Sequence, residues 1–241
     1  STKILNTQVP IIKLKFNLPA YYDHCMKAGH NVLPYVNFDS IDSINPHLKE
    51  LSVDISISDS FNEYAHLGLL QSKFVRTKLE QFPVLRPVCL MLKKLLVQYG
   101  FNDPYTGGLG SFSIFVMLYA ALWFEKQNTP TLFQSEDTYK ARLFSWFLFY
   151  YGEYFNTDST AIFFLNEDTP IRMPRLGWNN NALGNKLLCV YDPTNNQNNT
   201  TQKAFRIDDI QKLFVWKKQK ITADFAEMFR KGQIMPKILF S

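Results

Sequence analysis

Apolar and polar positions alternate strictly through Leu51-Ser52-Val53-Asp54-Ile55-Ser56-Ile57. A period of two puts Leu51, Val53, Ile55 and Ile57 on one face and Ser52, Asp54 and Ser56 on the other. That pattern predicts a half-buried strand with a carboxylate on its polar face. Val9-Pro10-Ile11-Ile12-Lys13-Leu14-Lys15-Phe16 opens as a branched apolar run, then alternates, and predicts an earlier strand. About 30 residues join the two strands, which is long for a simple connection. They hold Asn17-Leu18-Pro19, Ala28-Gly29-His30 and Ile44-Asn45-Pro46 as breakers, and a short helix is expected around 22–27.

From Phe61 onward the period becomes helical, with Phe61, Tyr64, Ala65, Leu67, Leu70, Phe74 and Leu79 in one stripe. A second helix starts near Pro87 and runs through Leu90, Leu92 and Leu96 to Gly100, a natural terminating glycine. The turn Thr106-Gly107-Gly108-Leu109-Gly110-Ser111 leads into an almost wholly apolar helix over 112–124. An aromatic-rich helix is predicted over 139–155, short strands within 162–188, and a buried strand over 187–191 that ends at Asp192-Pro193. An Asn-rich loop at 194–202 follows. The chain then continues with a helix over 207–219, cationic at Lys217, Lys218 and Lys220, and a last helix over 224–230 closed by Gly232. No segment repeats. A strand-rich start, a helical middle and a mixed end predict an α+β fold whose sheet is small for the helices around it.

The 241 residues are 46% hydrophobic and 20% charged, which excludes wholesale disorder. A chain of this length buries enough surface to fold without a disulfide or metal staple. Its longest apolar run falls short of the ~18 residues that span a bilayer. Cys25, Cys89 and Cys189 are scattered and odd in number, which argues for a reducing compartment rather than a disulfide framework. A net charge of +5 permits a polyanionic partner without requiring one. The chain starts at Ser1, with no signal sequence behind it, and is expected to be processed or a piece of something longer.

Three features carry candidate chemistry. They are Asp54 on a polar strand face, the glycine-rich turn that opens a helix, and the Asp192-Pro193 turn followed by Asn198-Asn199. Each has an ordinary reading: a surface aspartate, plain turn chemistry, a surface loop. In this order they resemble the template-independent RNA terminal nucleotidyltransferases. These form the poly(A) polymerase and terminal uridylyltransferase group of the DNA polymerase β-like superfamily. Four blocks carry the resemblance: Val9-Pro-Ile-Ile-Lys; Val53-Asp-Ile-Ser-Ile; Pro83-Val-Leu-Arg-Pro-Val-Cys-Leu-Met-Leu-Lys93 with Tyr105-Thr-Gly-Gly-Leu-Gly-Ser-Phe-Ser-Ile; and Leu187-Leu-Cys-Val-Tyr-Asp-Pro with Asn198-Asn199 and Phe205-Arg-Ile-Asp-Asp-Ile. The Thr-Gly-Gly-Leu-Gly element and Tyr151-Gly152 look most like the nuclear, exosome-associated poly(A) polymerases.

The resemblance implies a remnant of a nucleotidyltransferase sheet over 1–57, with an insert at about 17–48. It also implies a mainly helical, poly(A)-polymerase-like central domain over 58–241, with a nucleotide recognition loop at about 192–205. It implies AMP addition from ATP to RNA 3′ ends with two ions of Mg²⁺ or Mn²⁺. Asp54 would be the third of three metal-holding carboxylates. Lys93 would reach the triphosphate, against an ordinary reading as a solvated helix lysine. Ser111 would bind phosphate and is also a plain helix cap. Phe112 would stack on the base, or is a core phenylalanine. Asn198 and Asn199 would read the base, with asparagine favouring ATP over UTP. Gly107, Gly108 and Gly110 would form a phosphate turn.

The sequence also departs from that pattern. No Gly-Ser turn with Asp-x-Asp precedes Val9, and Asp39 and Asp42 come too late and at the wrong spacing to share a strand face. These residues by themselves are therefore expected not to transfer nucleotides. Either a catalytic segment is missing from this chain, or the chain is an inactive scaffold of the same fold in a larger RNA–protein assembly. The insert carries His24, Cys25 and His30, but their spacing is poor for zinc. Gln202 stands where relatives often carry arginine. Asn198-Asn199-Thr200 matches a glycosylation acceptor, a weak signal without a signal peptide. With no RNA-binding module in the sequence, RNA selection is expected from a protein partner. The expected location is intracellular, the nucleus ahead of mitochondrion or cytoplasm.

Overall fold

The computed structural model describes residues 2–4, 11–17, 20, 24, 27–28, 50–56, 67–128, 136–175 and 188–231. The chain divides into two compact units, Ser1–Leu67 and Gly68–Ser241.

In the first unit, β1 (Thr2–Ile4), β2 (Ile11–Asn17) and β3 (Glu50–Ser56) form an antiparallel sheet in that order. β2 and β3 pair along their full length, with Lys13 opposite Asp54 and Asn17 opposite Glu50. The two alternating segments are thus neighbours, and β1 adds an edge that the sequence did not announce. The expected burial of one β3 face is not met, because Leu51 and Ile55 remain 49% and 41% exposed. Three short strands have little apolar surface of their own with which to cover that face. Most of the 17–48 insert, with Cys25 and His30, lies outside the described residues; His24 is exposed.

The second unit is built on α1 (Leu67–Gln81), α2 (Leu85–Gln98), α3 (Ser111–Asn128), α4 (Glu136–Phe149) and α5 (Ile207–Arg230). α3 is apolar on every side and so takes the centre; Val116, Met117, Leu118, Ala120 and Ala121 are fully buried. α2 turns Leu85, Val88, Leu92 and Leu96 into the same core, with Cys89 and Lys93 half-buried at its edge. It ends at Gly100, whose φ of 69° is the left-handed value that glycine adopts at no steric cost. Lys78 is 98% buried, which costs heavily unless the charge is paired. Its ammonium pairs with Asp168 and lies 5.2 Å over the Tyr119 ring, while the Tyr119 hydroxyl donates to the Asp168 carbonyl at 2.8 Å.

Smaller strands fill the remainder. β4 (Thr160–Phe164) and β5 (Pro170–Pro174) form a hairpin, and β6 (Tyr191–Asp192) pairs with β7 (Asn195–Asn199). A parallel bridge between Ile162 and Val190 joins the two pairs. Three sequence expectations change here. The Asn-rich stretch is not a loop, because most of it is strand β7. The helix over 139–155 ends at Phe149 and continues as a π-turn, Tyr150–Tyr154. There Gly152 lets α5 approach, since a β-carbon would sit 3.2 Å from Phe214 and Val215. The helices over 207–219 and 224–230 are one, because Lys220-Ile221-Thr222-Ala223 contains no breaker and Thr222 Oγ1 donates to the Lys218 carbonyl at 3.0 Å.

Candidate nucleotide site

The second unit carries a groove of about 860 Å³ between α1, α2 and the start of α3. α2 supplies Arg86, Cys89 and Lys93 at spacings of three and four, so one helix face lines the wall. α1 supplies Gln71, Arg76 and Glu80, and α3 supplies Ser111, Phe112 and Phe115. Lys93 on α2 therefore meets the neighbours Ser111 and Phe112 of α3 at one groove. Arg76, Arg86 and Lys93 form no ion pair among the described residues, whereas most other cations of this unit do or lie over rings. A groove with three uncompensated cations against the single carboxylate Glu80 suits a polyanionic ligand.

Phe112 faces two ways. It packs edge-on against the buried Phe74 at 6.4 Å, and it also lines the groove. Ser111 is exposed at the first residue of α3, where backbone N–H groups lack intrahelical acceptors and favour anions. Cys89 sits beside Lys93. Burial pushes its thiol above the ordinary range, and the Lys93 charge opposes that only in part.

The glycine turn, of which a phosphate cradle at Gly107, Gly108 and Gly110 is expected, spends part of its donors on itself. The Gly107, Gly108 and Leu109 N–H groups donate to the Pro104, Asp103 and Phe101 carbonyls at 3.2, 2.9 and 2.8 Å. Donors spent inside the turn are not available to a phosphate. The turn also fixes the entry of α3. Gly107 has a φ of 86° and carries the Phe205 ring against its α-carbon. At Gly108 a β-carbon would lie 2.3 Å from the Phe101 carbonyl oxygen. Gly108→Ala is therefore expected to cost about 3 kcal/mol of stability, because backbone rather than a flexible side chain must yield. Urea denaturation measures it.

The Asn pair divides in two. Asn198 Nδ2 donates to Asp192 Oδ2 at 3.0 Å. Asn199 turns into its own loop: its Oδ1 accepts from the Val190 and Thr201 N–H groups and its Nδ2 donates to the Leu188 carbonyl. A side chain so engaged holds the loop and is not free to read a base. The residue missed in the sequence is Gln71. Its Nε2 donates at 2.7 Å to the same Asp192 Oδ2 that Asn198 uses, so the wholly buried Asp192 clips the loop to the groove wall. Ser113 Oγ adds a second tie, donating to the Thr200 carbonyl at 2.6 Å. Nothing local marks Gln71, whose partner lies 121 residues away.

Asp54 stands on β3 in the first unit. Glu50 is four residues away, about 13 Å along a strand, too far to share an ion whose ligands sit at about 2 Å. Among the described residues no three His, Cys, Asp or Glu side chains group as metal ligands. The described residues therefore do not themselves fit a two-ion site. No helix among them is long and apolar enough to cross a membrane.

Comparison with known proteins finds relatives in both sequence and fold. Residues 141–198 match the model of the Cid1 family poly A polymerases, a stretch that runs from α4 to Asn198. Poly(A) RNA polymerase protein 2 of Saccharomyces cerevisiae is 29% identical over 149 residues, which are 61% of this chain and 25% of that protein. Trf4-2 of Drosophila melanogaster, described as an inactive poly(A) RNA polymerase protein, is 27% identical over 160 residues, 64% of this chain and 38% of its own length. The chain thus spans about a quarter of the first of these relatives. In fold, it matches the polymerase core of the RNA surveillance complex TRAMP with a TM-score of 0.66 at 23% identity, over 94% of this chain and 59% of that one. The chain is thus similar in sequence to poly(A) RNA polymerases over part of its length, and in fold to the TRAMP polymerase core.

Proposed function

We propose that this chain is part of an RNA 3′-terminal nucleotidyltransferase and that its groove holds the ATP whose AMP is added. The observation that carries this reading is the meeting of Lys93, Ser111 and Phe112 in one groove with three unpaired cations. Lys93 takes the triphosphate as a point charge. Ser111 and the first N–H groups of α3 receive phosphate oxygens. The free face of Phe112 stacks on the base, which holds it without choosing it. Asn198 shares Asp192 Oδ2 with the groove residue Gln71, and its remaining amide and carbonyl groups favour adenine over uracil. Asp54 contributes one carboxylate toward a divalent cation, Mg²⁺ or Mn²⁺, whose chemistry when bound is to acidify the RNA 3′-hydroxyl. RNA selection falls to a protein partner, and the proposed location is the nucleus.

One observation favours the second reading, a scaffold of the same fold without catalysis: the Drosophila relative Trf4-2 is described as inactive. Both readings keep the groove, so it is tested first. Cys89 lines it, and the thiolate is the reactive form. Alkylation by iodoacetamide, read by mass at the Cys89 peptide, should be slow at pH 7 and still accelerating above the ordinary thiol range, because burial raises this pKa. Saturating ATP should slow it about fivefold or more, and adenosine much less. Equal labelling with and without ATP would remove the nucleotide from this groove.

A further inference from the structure

We infer that a second surface of the helical unit, where α5 crosses the end of α2, is a stacking platform for single-stranded RNA. This rests on the proposal that the protein acts on RNA, but it shares no residue with the groove. Trp216 on α5 and Tyr99 at the end of α2 stand 45% and 37% exposed. Their ring centroids are 5.8 Å apart and the planes 70° to each other, so the edge of one meets the face of the other and leaves flat aromatic surface open to solvent. Large exposed aromatics cost solvation and call for a partner with a flat apolar face.

The charge around them names the partner's other half. Lys217 and Lys220 lie 6.0 and 5.8 Å from the Trp216 ring and pair with no carboxylate among the described residues. Their neighbour Lys218 is by contrast neutralised by Glu153 at 3.2 Å. Beside Trp216 runs a shallow groove of about 500 Å³, whose lining includes Gln211, Lys212, Val215 and Gln219, with Asp208 its one carboxylate. An aromatic face flanked by unpaired lysines and amides fits a chain that alternates flat bases with phosphates. Bases replace the lysine ammonium groups over the ring, and the lysines swing to the phosphates. An acidic protein segment would satisfy the lysines but leave the indole without a flat partner.

The test is binding of a fluorescent 15-nucleotide oligo(A) to the chain, by anisotropy over a range of salt. Trp216→Ala should weaken binding about tenfold, and Trp216→Phe, which keeps a ring, no more than about threefold. The double variant Lys217→Gln, Lys220→Gln should make the slope of log K against log salt shallower by about 1.4, the loss of two single-strand phosphate contacts. An unchanged affinity in Trp216→Ala would overturn the platform. So would Trp216→Phe binding as weakly as Trp216→Ala, or polyglutamate displacing the RNA as well as unlabelled oligo(A) does. ATP protection of Cys89 is scored in the same variants. Its loss in the parent would count against the groove alone, while altered RNA binding at Trp216 would still uphold the platform.

Discussion

In the proposed nucleotidyltransferase, Asp54→Ala is expected to lower AMP transfer about a thousandfold or more while ATP still binds. A metal-holding carboxylate acts on charge that develops during transfer, so its loss appears in the rate rather than in ground-state binding. A thousandfold corresponds to about 4 kcal/mol, within reach of one such ligand and beyond that of a surface aspartate. The backbone supports a clean experiment. Asp54 lies in mid-strand opposite Lys13, with pairing on both sides that alanine does not interrupt. Primer extension measures the rate, with ATP binding and circular dichroism as controls. Activity within tenfold of the parent would remove Asp54 from the chemistry and favour the scaffold reading.

Asp192→Ala is the substitution expected to cost the second unit most among polar changes. Its carboxylate is wholly buried and accepts from Gln71 Nε2, Asn198 Nδ2, and both the N–H and the hydroxyl of Thr194. Alanine strands these donors, and an unmet buried donor costs more than the bond contributed. The expected loss is about 3 kcal/mol in chemical denaturation. A local consequence follows as well: without the shared Oδ2 the β6–β7 pair is no longer clipped to α1, so nucleotide binding should weaken even at temperatures where the variant is folded. Gln71→Ala breaks that clip and trims the groove wall but leaves the other Asp192 bonds in place. It should affect nucleotide binding more than stability, which separates the two effects.

Periodicity made much of this molecule legible. The alternation around Asp54 gave β3, the all-apolar run gave the central α3, and Gly100 marked the end of α2. Each of these depends on neighbours close in sequence. The failures depend on individual side-chain and backbone partners that no periodicity announces. The Asn-rich stretch reads as a turn because asparagine is a poor strand former. It becomes β7 because Asp192, Thr201 and the Val190 N–H satisfy those amides from outside the segment. Gly107 and Gly108 were legible as a tight turn but not as one whose own carbonyls consume its donors. Their contacts with Phe205 and the Phe101 carbonyl exist only in the folded chain. The union of Lys93, Ser111 and Phe112 came from resemblance rather than pattern, since a helix lysine, a cap serine and an apolar-helix phenylalanine are each ordinary alone. Gln71 had no signal at all.

Equilibrium dialysis of labelled ATP against the chain and its Lys93→Ala variant reads the groove directly. Lys93 lines the wall without an ion pair among the described residues, so alanine removes a charge-assisted contact to phosphate and little else. Saturable ATP binding to the parent, about tenfold weaker in Lys93→Ala with adenosine affinity unchanged, is the expected result. Absence of saturable ATP binding, or an equal loss for ATP and adenosine, would contradict a triphosphate site in this groove.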